Sequence, residues 1–456
     1  MSLKTMPHST LNCLMKKSKI KLITLGCSKN RVDSEHLLKQ VEKSGIEISP
    51  ESESVEDARA DVLIINTCGF IKDAKVESIQ AILEAVEAKK HGFTSKVLVF
   101  GCLSQRYREE LVRSIPEVDG FYGVFDIEQV VAALGSCWNS NYETQRVLTT
   151  PSHYAYLKIS EGCDRTCSYC SIPIIKGKHV SVPVEKLVSE AQYLALLGVK
   201  ELILVAQDTT YYGVDLYGKR CIAELVKRLS DIEGIEWLRL LYAYPAAFPE
   251  DLLEVMANNS KVCKYLDIPL QHVSDKVLRN MKRSVNGEQT RRLVEMFRRN
   301  VPGIVLRTTM MVGHPGEDNK AFEELLSFVS QARFERLGAF TYSEEEGTWS
   351  AHNLRDTVRA EVKEERYKRL MELQSGVSME YNESRIGTKE KVLVDSVSDR
   401  YLIARSRNES PEVDGEILID RIINSSNLNS KDLIGTFVDI EITDADEYDL
   451  YAKLIL

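Results

Sequence analysis

The strongest chemical signal in the chain is a group of three closely spaced cysteines. Cys163, Cys167 and Cys170 follow the spacing C-x3-C-x2-C. Thiolates are the soft ligands that iron–sulfur clusters take, and so short a loop can wrap three corners of a four-iron cubane. The fourth iron would then lack a protein ligand, which suits the binding of a small molecule better than passive electron transfer. Structural zinc is the alternative, with His179 available as a fourth ligand.

Three other cysteines are distant in sequence but occupy equivalent places. Cys27, Cys68 and Cys102 each come directly after a run of β-type residues. In an open parallel sheet, ligand sites form outside the carboxyl ends of the strands, so the three thiols are expected to converge on one edge. A glycine precedes two of them and follows the third, which permits close backbone approach. Cysteine is also a frequent small core residue, yet three such coincidences favour a second metal site.

The remaining cysteines match no motif and are interpreted as ordinary thiols: Cys13, Cys137, Cys221 and Cys263. The N-terminus lacks the continuous apolar core of a secretory signal. We therefore expect a cytoplasmic protein without disulfides, because that compartment keeps thiols reduced. No apolar run approaches the roughly 18 residues of a membrane span, so no membrane contact is expected.

The segment that carries the dispersed cysteines alternates strands with helices, which predicts an open parallel sheet with helices on its faces. Two apolar stripes mark the helices, one ending near Gly45 and the other near Gly92. The strand runs are Ile20 to Gly26, Asp61 to Thr67 and Lys96 to Gly101. The stripes consist of Leu37, Leu38 and Val41, and of Ile79, Ile82, Leu83 and Val86.

The close group of cysteines opens a longer β/α region. Six β/α units fall short of the eight that close a full barrel, so an open, partial (β/α)6 barrel is expected. A long polar helix follows, from about Thr357 to Arg385. The strand runs are Tyr154 to Ser160, Glu201 to Ala206, Trp237 to Tyr242, Tyr265 to Leu270, Val305 to Val312 and Arg336 to Tyr342.

The last segment has no helical period and predicts a small antiparallel β-barrel, with a turn at Asp414-Gly415. We therefore expect an α/β chain with four parts: a disordered tail (1–19), an N-terminal sheet domain (20–140), a partial barrel with its linking helix (150–385) and a C-terminal β-barrel (386–456). The strand runs of the last part are Lys391 to Val397, Tyr401 to Arg405, Glu416 to Ile419, Phe437 to Thr443 and Leu450 to Leu456.

The net charge of −9 is unevenly distributed. Residues 383–456 contain 9 Lys and Arg against 16 Asp and Glu, a balance of −7, which leaves −2 for the first 382 residues. An acidic module repels a phosphate backbone and favours a basic partner. A solvated acidic face without a partner is the alternative.

The spacing of Cys163, Cys167 and Cys170, with an aromatic residue before the last cysteine, resembles the radical S-adenosylmethionine superfamily. The resemblance implies a 4Fe-4S cluster whose open iron chelates S-adenosylmethionine, and an external electron donor whose electron releases a 5′-deoxyadenosyl radical. Tyr169 would lie near the adenine. Weaker candidates for cofactor contacts follow the barrel strands, where active-site groups gather: Gln207, Asp208, Gly313 and Glu317. His272 is interpreted as a packed surface histidine.

The segments LGCSKNRVDSE, NTCGF and GCLSQRY contain the dispersed cysteines and are similar to the N-terminal domain of the methylthiotransferases. This resemblance implies a second, auxiliary 4Fe-4S cluster on Cys27, Cys68 and Cys102, which carries the sulfur to be inserted. S-adenosylmethionine would serve both as radical source and as methyl donor. The last segment resembles the TRAM-type β-barrel of this family.

Two branches of the family differ in substrate. The segments AQDTTYYGVDLYG, YLDIPLQHVSD and MMVGHPGE are similar to the branch that modifies the β-carbon of an aspartate in small-subunit ribosomal protein twelve. The acidic C-terminal barrel agrees with docking of this basic protein. The alternatives are the branch that modifies an adenosine in tRNA and a non-catalytic iron–sulfur carrier. Basic residues that could lie near RNA are interpreted as solvated helix faces: Arg279, Lys282, Arg283, Arg291 and Arg292.

Overall fold

The structure is a computed structural model that describes residues 19–49, 60–420 and 430–455. The expected tail lies outside these ranges except for Lys19, which is the first residue of a strand and so does not belong to the tail. Cys13 also lies outside the described residues.

The N-terminal part is a five-stranded sheet in which every pairing is parallel. Its elements are β1 (Lys19–Thr24), α1 (Ser28–Lys43), β2 (Glu47–Ile48), β3 (Val62–Thr67), α2 (Lys72–Lys90), β4 (Lys96–Gly101), α3 (Cys102–Ser114), β5 (Gly120–Phe121) and α4 (Ile127–Ala133). The strand order is β2-β1-β3-β4-β5. The three strands that precede cysteines, β1, β3 and β4, are therefore neighbours in the middle of the sheet.

Helix α2 buries a different face from the predicted one. Ile82 and Val86 are buried as expected, but Ile79 and Leu83 are exposed, at 38% and 44%. The four large side chains lie on one face of the helix, but the buried face is rotated toward Ile82 and Val86. Small residues complete the buried face instead: Ser78, Ala81 and Ala85.

The central part contains a six-stranded parallel sheet with the order β13-β12-β11-β10-β9-β6, which confirms the open partial barrel. Its first elements are β6 (Tyr154–Lys158), β7 (Ser160–Glu161), α5 (Ile172–Lys176), β8 (Val180–Ser181), α6 (Val184–Leu196), β9 (Glu201–Val205), α7 (Val214–Tyr217), α8 (Ile222–Ser230) and β10 (Trp237–Leu240). Further along the chain follow α9 (Glu250–Asn258), β11 (Val262–Asp267), α10 (Asp275–Asn280), α11 (Gly287–Asn300), β12 (Val305–Val312), α12 (Asn319–Ala332), β13 (Arg336–Thr341), α13 (Trp349–Asn353) and the linking helix α14 (Ala360–Glu383).

The strands of the central sheet are apolar on both faces because both faces are covered. Helices cover one face and form the largest apolar core of the molecule with it. The concave face carries aromatic side chains, among them Tyr156, Trp237 and Tyr265, and packs against Val32 of α1 and against the C-terminal barrel. The concave face is therefore enclosed by the two outer parts of the chain.

The C-terminal part is a closed five-stranded barrel with the order β14-β15-β16-β18-β17. Its strands are β14 (Lys389–Val397), β15 (Tyr401–Arg405), β16 (Ile417–Asp420), β17 (Phe437–Ala445) and β18 (Leu450–Leu454). The barrel is confirmed, and four of its pairings are antiparallel as expected. The pairing of β16 with β18, which closes the barrel, is parallel.

The β15–β16 loop (residues 406–416) reaches into the concave face of the central sheet. Glu412 accepts a hydrogen bond from the Tyr156 hydroxyl at 2.9 Å, and Asp414 accepts one from the Tyr265 hydroxyl at 2.6 Å. Glu409 forms an ion pair with Arg336 at 3.1 Å. Acidic side chains of the barrel thus attach it to three strands of the sheet.

None of the described helices combines the length and the apolar character that crossing a membrane requires.

Candidate functional site

The close group of cysteines lies in the loop between the short strands β7 and β8, which pair with each other. The Cys163 N–H donates to the Gly177 carbonyl at 3.1 Å, and the Ser168 N–H donates to the Met281 carbonyl at 3.0 Å. Burial raises the pKa of Cys163 to about 11 and that of Cys170 to about 12. The thiols of Cys163 and Cys170 therefore stay protonated at neutral pH until a bound metal displaces the protons. We call Cys163, Cys167 and Cys170 the core trio.

The dispersed cysteines meet at the carboxyl edge of the N-terminal sheet, and we call Cys27, Cys68 and Cys102 the auxiliary trio. A β-carbon added at Gly26 would lie 2.7 Å from the β-carbon of Cys68, so only glycine permits this approach. Asn30 connects the loops: its amide donates to the Leu25 carbonyl at 3.0 Å and to the Thr67 carbonyl at 3.2 Å. Its oxygen lies 3.8 Å from the Cys102 sulfur.

The auxiliary thiols differ in their affinity for protons. Burial raises the pKa of Cys68 and raises that of Cys102 to about 12. Burial also acts to raise the pKa of Cys27, but the ammonium groups of Lys29 and Lys176 outweigh it, and the pKa falls below its ordinary value. Positive charge therefore favours a thiolate at this edge of the sheet.

The loops that follow the two trios contact each other across the boundary between the N-terminal and central sheets. The Ser171 hydroxyl, next to Cys170, donates to the carbonyl of Phe70, two residues after Cys68, at 3.4 Å. The charge of Lys176, the last residue of α5, acts on all three auxiliary cysteines. Residues next to the two trios therefore lie close together at this boundary.

Three buried or half-buried lysines and two carboxylates lie at this boundary. Lys158 bonds to Asp33 and, at 2.9 Å, to Glu161, which also pairs with Lys176 at 3.0 Å. Burial alone would raise the pKa of Glu161, but Lys158 and Lys176 hold it at about 2. Lys29, the third lysine, has its ammonium 3.5 Å from the ring centroid of Tyr242. The motif around Cys27 contained Lys29, but nothing in the sequence indicated its aromatic partner.

Arg283 is part of the site, so its interpretation as a solvated helix residue was wrong. One guanidinium nitrogen lies 3.4 Å from the Cys167 sulfur, and another donates to the Pro269 carbonyl at 2.6 Å. The guanidinium stacks 4.3 Å from the ring centroid of Tyr244, whose hydroxyl lies 3.8 Å from the same sulfur. A buried cation beside Cys167 stabilises negative charge there.

Two candidates for cofactor contacts lie beside the core trio. Tyr169 packs against Met281 and its neighbours and meets His314 edge-on, with ring centroids 6.1 Å apart. Asp208 is buried and already holds Arg165 at 2.8 Å and the backbone of Thr210 at 3.0 Å. Its oxygens are therefore occupied by protein donors.

Gln207 precedes Asp208 and is only partly buried. Its side chain makes no hydrogen bond to another residue within the described ranges. Gln207 therefore keeps both its donor and its acceptor available at the carboxyl edge of β9.

Gly313 and Glu317 form a buried turn after β12. A β-carbon at Gly313 would lie 2.3 Å from the side chain of Lys363, and the carboxylate of Glu317 accepts from the Gly313 N–H and forms an ion pair with Arg366. Burial raises the pKa of Glu317 to about 7.

His272 is fully buried beside Glu317, so the interpretation of His272 as a surface histidine was wrong. Burial lowers the pKa of His272 to about 3, so the imidazole is neutral at pH 7. Its Nε2 lies 3.9 Å from a carboxylate oxygen of Glu317 but forms no ion pair with it.

The zinc interpretation finds no support. Within residues 19–49, 60–420 and 430–455, no three His, Cys, Asp or Glu side chains form a site for a single metal ion. His179 bonds to Ser181 at 3.0 Å and meets Tyr211 edge-on, so its ring is engaged by other residues. Cluster ligands bind separate irons and need not surround one point. Two sets of three thiols, each without a fourth, fit four-iron clusters that keep an open iron.

Three family models match successive parts of the chain. The model described as "Uncharacterized protein family UPF0004" matches residues 19–123. The radical SAM superfamily model matches residues 157–329, and the TRAM domain model matches residues 386–455. The order of the three matches follows the order of the two sheets and the barrel.

Solved structures support the central fold. The radical S-adenosylmethionine methyltransferase TsrM from Kitasatospora setae, bound to tryptophan and an S-adenosylmethionine analogue, is 14% identical, with a TM-score of 0.53. The match covers 71% of this chain and 72% of that chain. At this identity the likeness concerns the fold alone.

Full-length relatives are much more similar. The ribosomal protein uS12 methylthiotransferase RimO of Bacteroides thetaiotaomicron is 51% identical over 97% of this chain and 99% of its own length. The protein of the same name from Cytophaga hutchinsonii is 49% identical over 96% of this chain and 98% of its own length. The chain belongs to the RimO family of methylthiotransferases.

Proposed function

We propose that the protein adds a methylthio group to the β-carbon of an aspartate in ribosomal protein uS12. The observation that supports the proposal is that two thiol trios lie at the carboxyl edges of two sheets whose adjoining loops are in contact. Each trio provides soft ligands for three irons and leaves the fourth open. This arrangement, in a chain about half identical to named uS12 methylthiotransferases, fits sulfur insertion better than electron storage.

The reaction requires radical chemistry because the substrate carbon is unactivated. No side chain is basic enough at neutral pH to remove a proton from an aliphatic carbon. Two 4Fe-4S clusters and S-adenosylmethionine supply the electron, the radical, the sulfur and the methyl group when they are bound. The protein contributes position, exclusion of water and electrostatic support.

We assign the core trio to the cluster that binds S-adenosylmethionine and the auxiliary trio to the cluster that carries sulfur. Arg283 would stabilise the negative charge of the core cluster, since it already lies 3.4 Å from the Cys167 sulfur. Tyr169 and Gln207 would contact S-adenosylmethionine. Asp208, Gly313 and Glu317 would shape its pocket, because their polar groups are engaged by the protein: Arg165 and Thr210 hold Asp208, and Glu317 accepts from the Gly313 N–H.

The C-terminal barrel would dock the basic substrate. Part of its acidity is internal, because Glu409 and Asp414 pair with Arg336 and Arg307 of the central sheet. The outward acidic residues are those that would meet uS12: Glu416, Asp439, Asp444 and Glu447 are exposed. The part 20–140 would then supply the sulfur, the part 150–385 would generate the radical, and the part 386–456 would dock the substrate. With such a substrate, the reaction would take place in the cytoplasm. An external donor would supply the electron.

Iron content and product mass test the proposal. After anaerobic reconstitution, the protein should hold about eight irons, and replacing the auxiliary trio with alanine should leave about four. Cys221→Ala, which removes a buried thiol outside both trios, should keep about eight. With dithionite and S-adenosylmethionine, the intact protein should form 5′-deoxyadenosine and add a methylthio mass to uS12.

The same experiment separates the alternatives. Iron without cleavage of S-adenosylmethionine would contradict the proposal in favour of a carrier. A methylthio mass on tRNA, with none on uS12, would contradict the substrate assignment.

A further inference from the structure

Lys29 is a buried cation whose neighbour of potential negative charge is the Cys27 thiol rather than a carboxylate. The residue is 4% exposed, and no carboxylate in the described part of the chain lies within ion-pair distance of its ammonium group. Its contact is the face of Tyr242, 3.5 Å from the ring centroid. A cation–π contact offsets only part of the cost of removing an ammonium group from water.

The neighbouring lysines do not share this condition. Lys158 and Lys176 are both held by Glu161, and Lys158 also bonds to Asp33. Of these three ammonium groups, Lys29 is the one that pairs with neither carboxylate. A buried ammonium group without a carboxylate partner is expected where a ligand of opposite charge completes the site.

The position of Lys29 relates it to both trios. It lies two residues after Cys27 of the auxiliary trio. Its aromatic partner, Tyr242, lies two residues before Tyr244, whose hydroxyl is 3.8 Å from the Cys167 sulfur of the core trio. Two residues of extended chain span at most about 7 Å. The ammonium group therefore lies close to residues that reach both trios, where the reacting carbon would have to be held.

We propose that Lys29 binds the side-chain carboxylate of the target aspartate. This inference rests on the proposed function and adds the substrate group that the site recognises. The β-carbon is bonded directly to the carboxyl carbon, so a carboxylate held by Lys29 places the reacting C–H one bond away from a fixed point. A neutral base such as adenine leaves the ammonium group unpaired. Lys29 is thus a specificity-determining residue for an acidic side chain.

The test compares binding of uS12 with its target aspartate intact and with that aspartate replaced by asparagine. The uS12 protein is purified from a strain that lacks this methylthiotransferase, and binding to the reconstituted enzyme is measured anaerobically by calorimetry without S-adenosylmethionine. The unaltered enzyme should prefer the aspartate form by about 10- to 100-fold, as expected for a charged hydrogen bond. Lys29→Met should bind both forms equally and retain about eight irons, and Lys29→Arg should restore part of the preference.

Lys39→Met is the matched control. Lys39 is a buried lysine on the same helix, but its ammonium pairs with Glu42 at 2.8 Å, so the preference should stay unchanged. A preference that persists in Lys29→Met, or a loss of iron in that variant, would overturn the inference, the second because Lys29 would then serve the auxiliary cluster. If the unaltered enzyme ignores uS12 and modifies tRNA, the proposed function itself fails.

Discussion

One buried carboxylate among those that attach the barrel to the central sheet is Glu409, and Glu409→Gln tests its contribution. Glu409 is 1% exposed. It pairs with Arg336 at 3.1 Å and with Arg385, and it accepts hydrogen bonds from the backbone and hydroxyl of Ser406 at 3.0 and 2.7 Å. Glutamine preserves the shape but removes the charge and places an N–H₂ group among donors. Arg336 then loses its ion-pair partner, and Arg385 keeps only Glu390, at 2.8 Å.

The expected loss of stability follows from the pKa of Glu409. Burial acts to raise this pKa, but Arg385 and Arg336 lower it from 4.5 to about 2. At about 1.4 kcal/mol per pKa unit, the charged form contributes about 3 kcal/mol at neutral pH. Measured losses for breaking a buried ion pair are about 3–5 kcal/mol, which agrees. Because the folded pKa is the lower one, this contribution is complete above pH 4.5 and is lost as the pH falls toward 2.

Tryptophan fluorescence during urea unfolding measures the effect. Trp237 is fully buried on the concave face, with its ring centroid 4.9 Å from that of Phe437 of the barrel, so its emission reports on detachment of the barrel. Glu409→Gln should unfold at clearly lower urea concentration at pH 7. Glu447→Gln makes the same chemical change at an exposed site of the barrel and should stay within about 0.5 kcal/mol of the unaltered protein. Equal midpoints for both variants would refute the reasoning.

Two further predictions concern the turn after β12. Burial raises the pKa of Glu317 from 4.5 to about 7. The free energy of unfolding of the unaltered protein should therefore rise by up to about 3 kcal/mol relative to that of Glu317→Gln as the pH falls from 7 to 4.5. Melting temperatures of both proteins across this pH range measure the effect, and parallel curves would contradict it. Gly313→Ala should destabilise more than Gly303→Ala by about 1–3 kcal/mol. Both glycines have a φ near +78°, but a β-carbon would contact the buried Lys363 side chain only at Gly313; equal melting temperatures would contradict this.

The sequence allowed the placement of the thiols to be predicted because it depends on local patterns. Cys27, Cys68 and Cys102 each follow an apolar strand run, and parallel strands bring their carboxyl ends to one edge. The six strand runs of the central sheet were also recognisable, since each is bounded by helical segments. The part of the site that depends on strand topology was therefore accessible without the structure.

The partners of buried charges were not predictable. Arg283 belongs to a basic stretch that looks solvated, and only the folding of the α10–α11 connection over the core trio places it beside Cys167. Lys29 lies in the N-terminal part of the chain and Tyr242 in the central part, and their contact depends on how these two parts pack. The buried state of His272 has the same origin. Pairings of this kind are set by tertiary packing, which periodicity and spacing do not encode.

The β15–β16 loop has a consequence for how this protein evolves and can be engineered. The barrel looks like an interchangeable module, since a separate family model matches it. Yet a chimaera that received another barrel would need acidic residues equivalent to Glu409 and Asp414; otherwise Arg336 would lose its ion-pair partner and Arg307 would keep only Asp267. The two halves of each pair must therefore be inherited together, and a change on one side is tolerated only with a compensating change on the other.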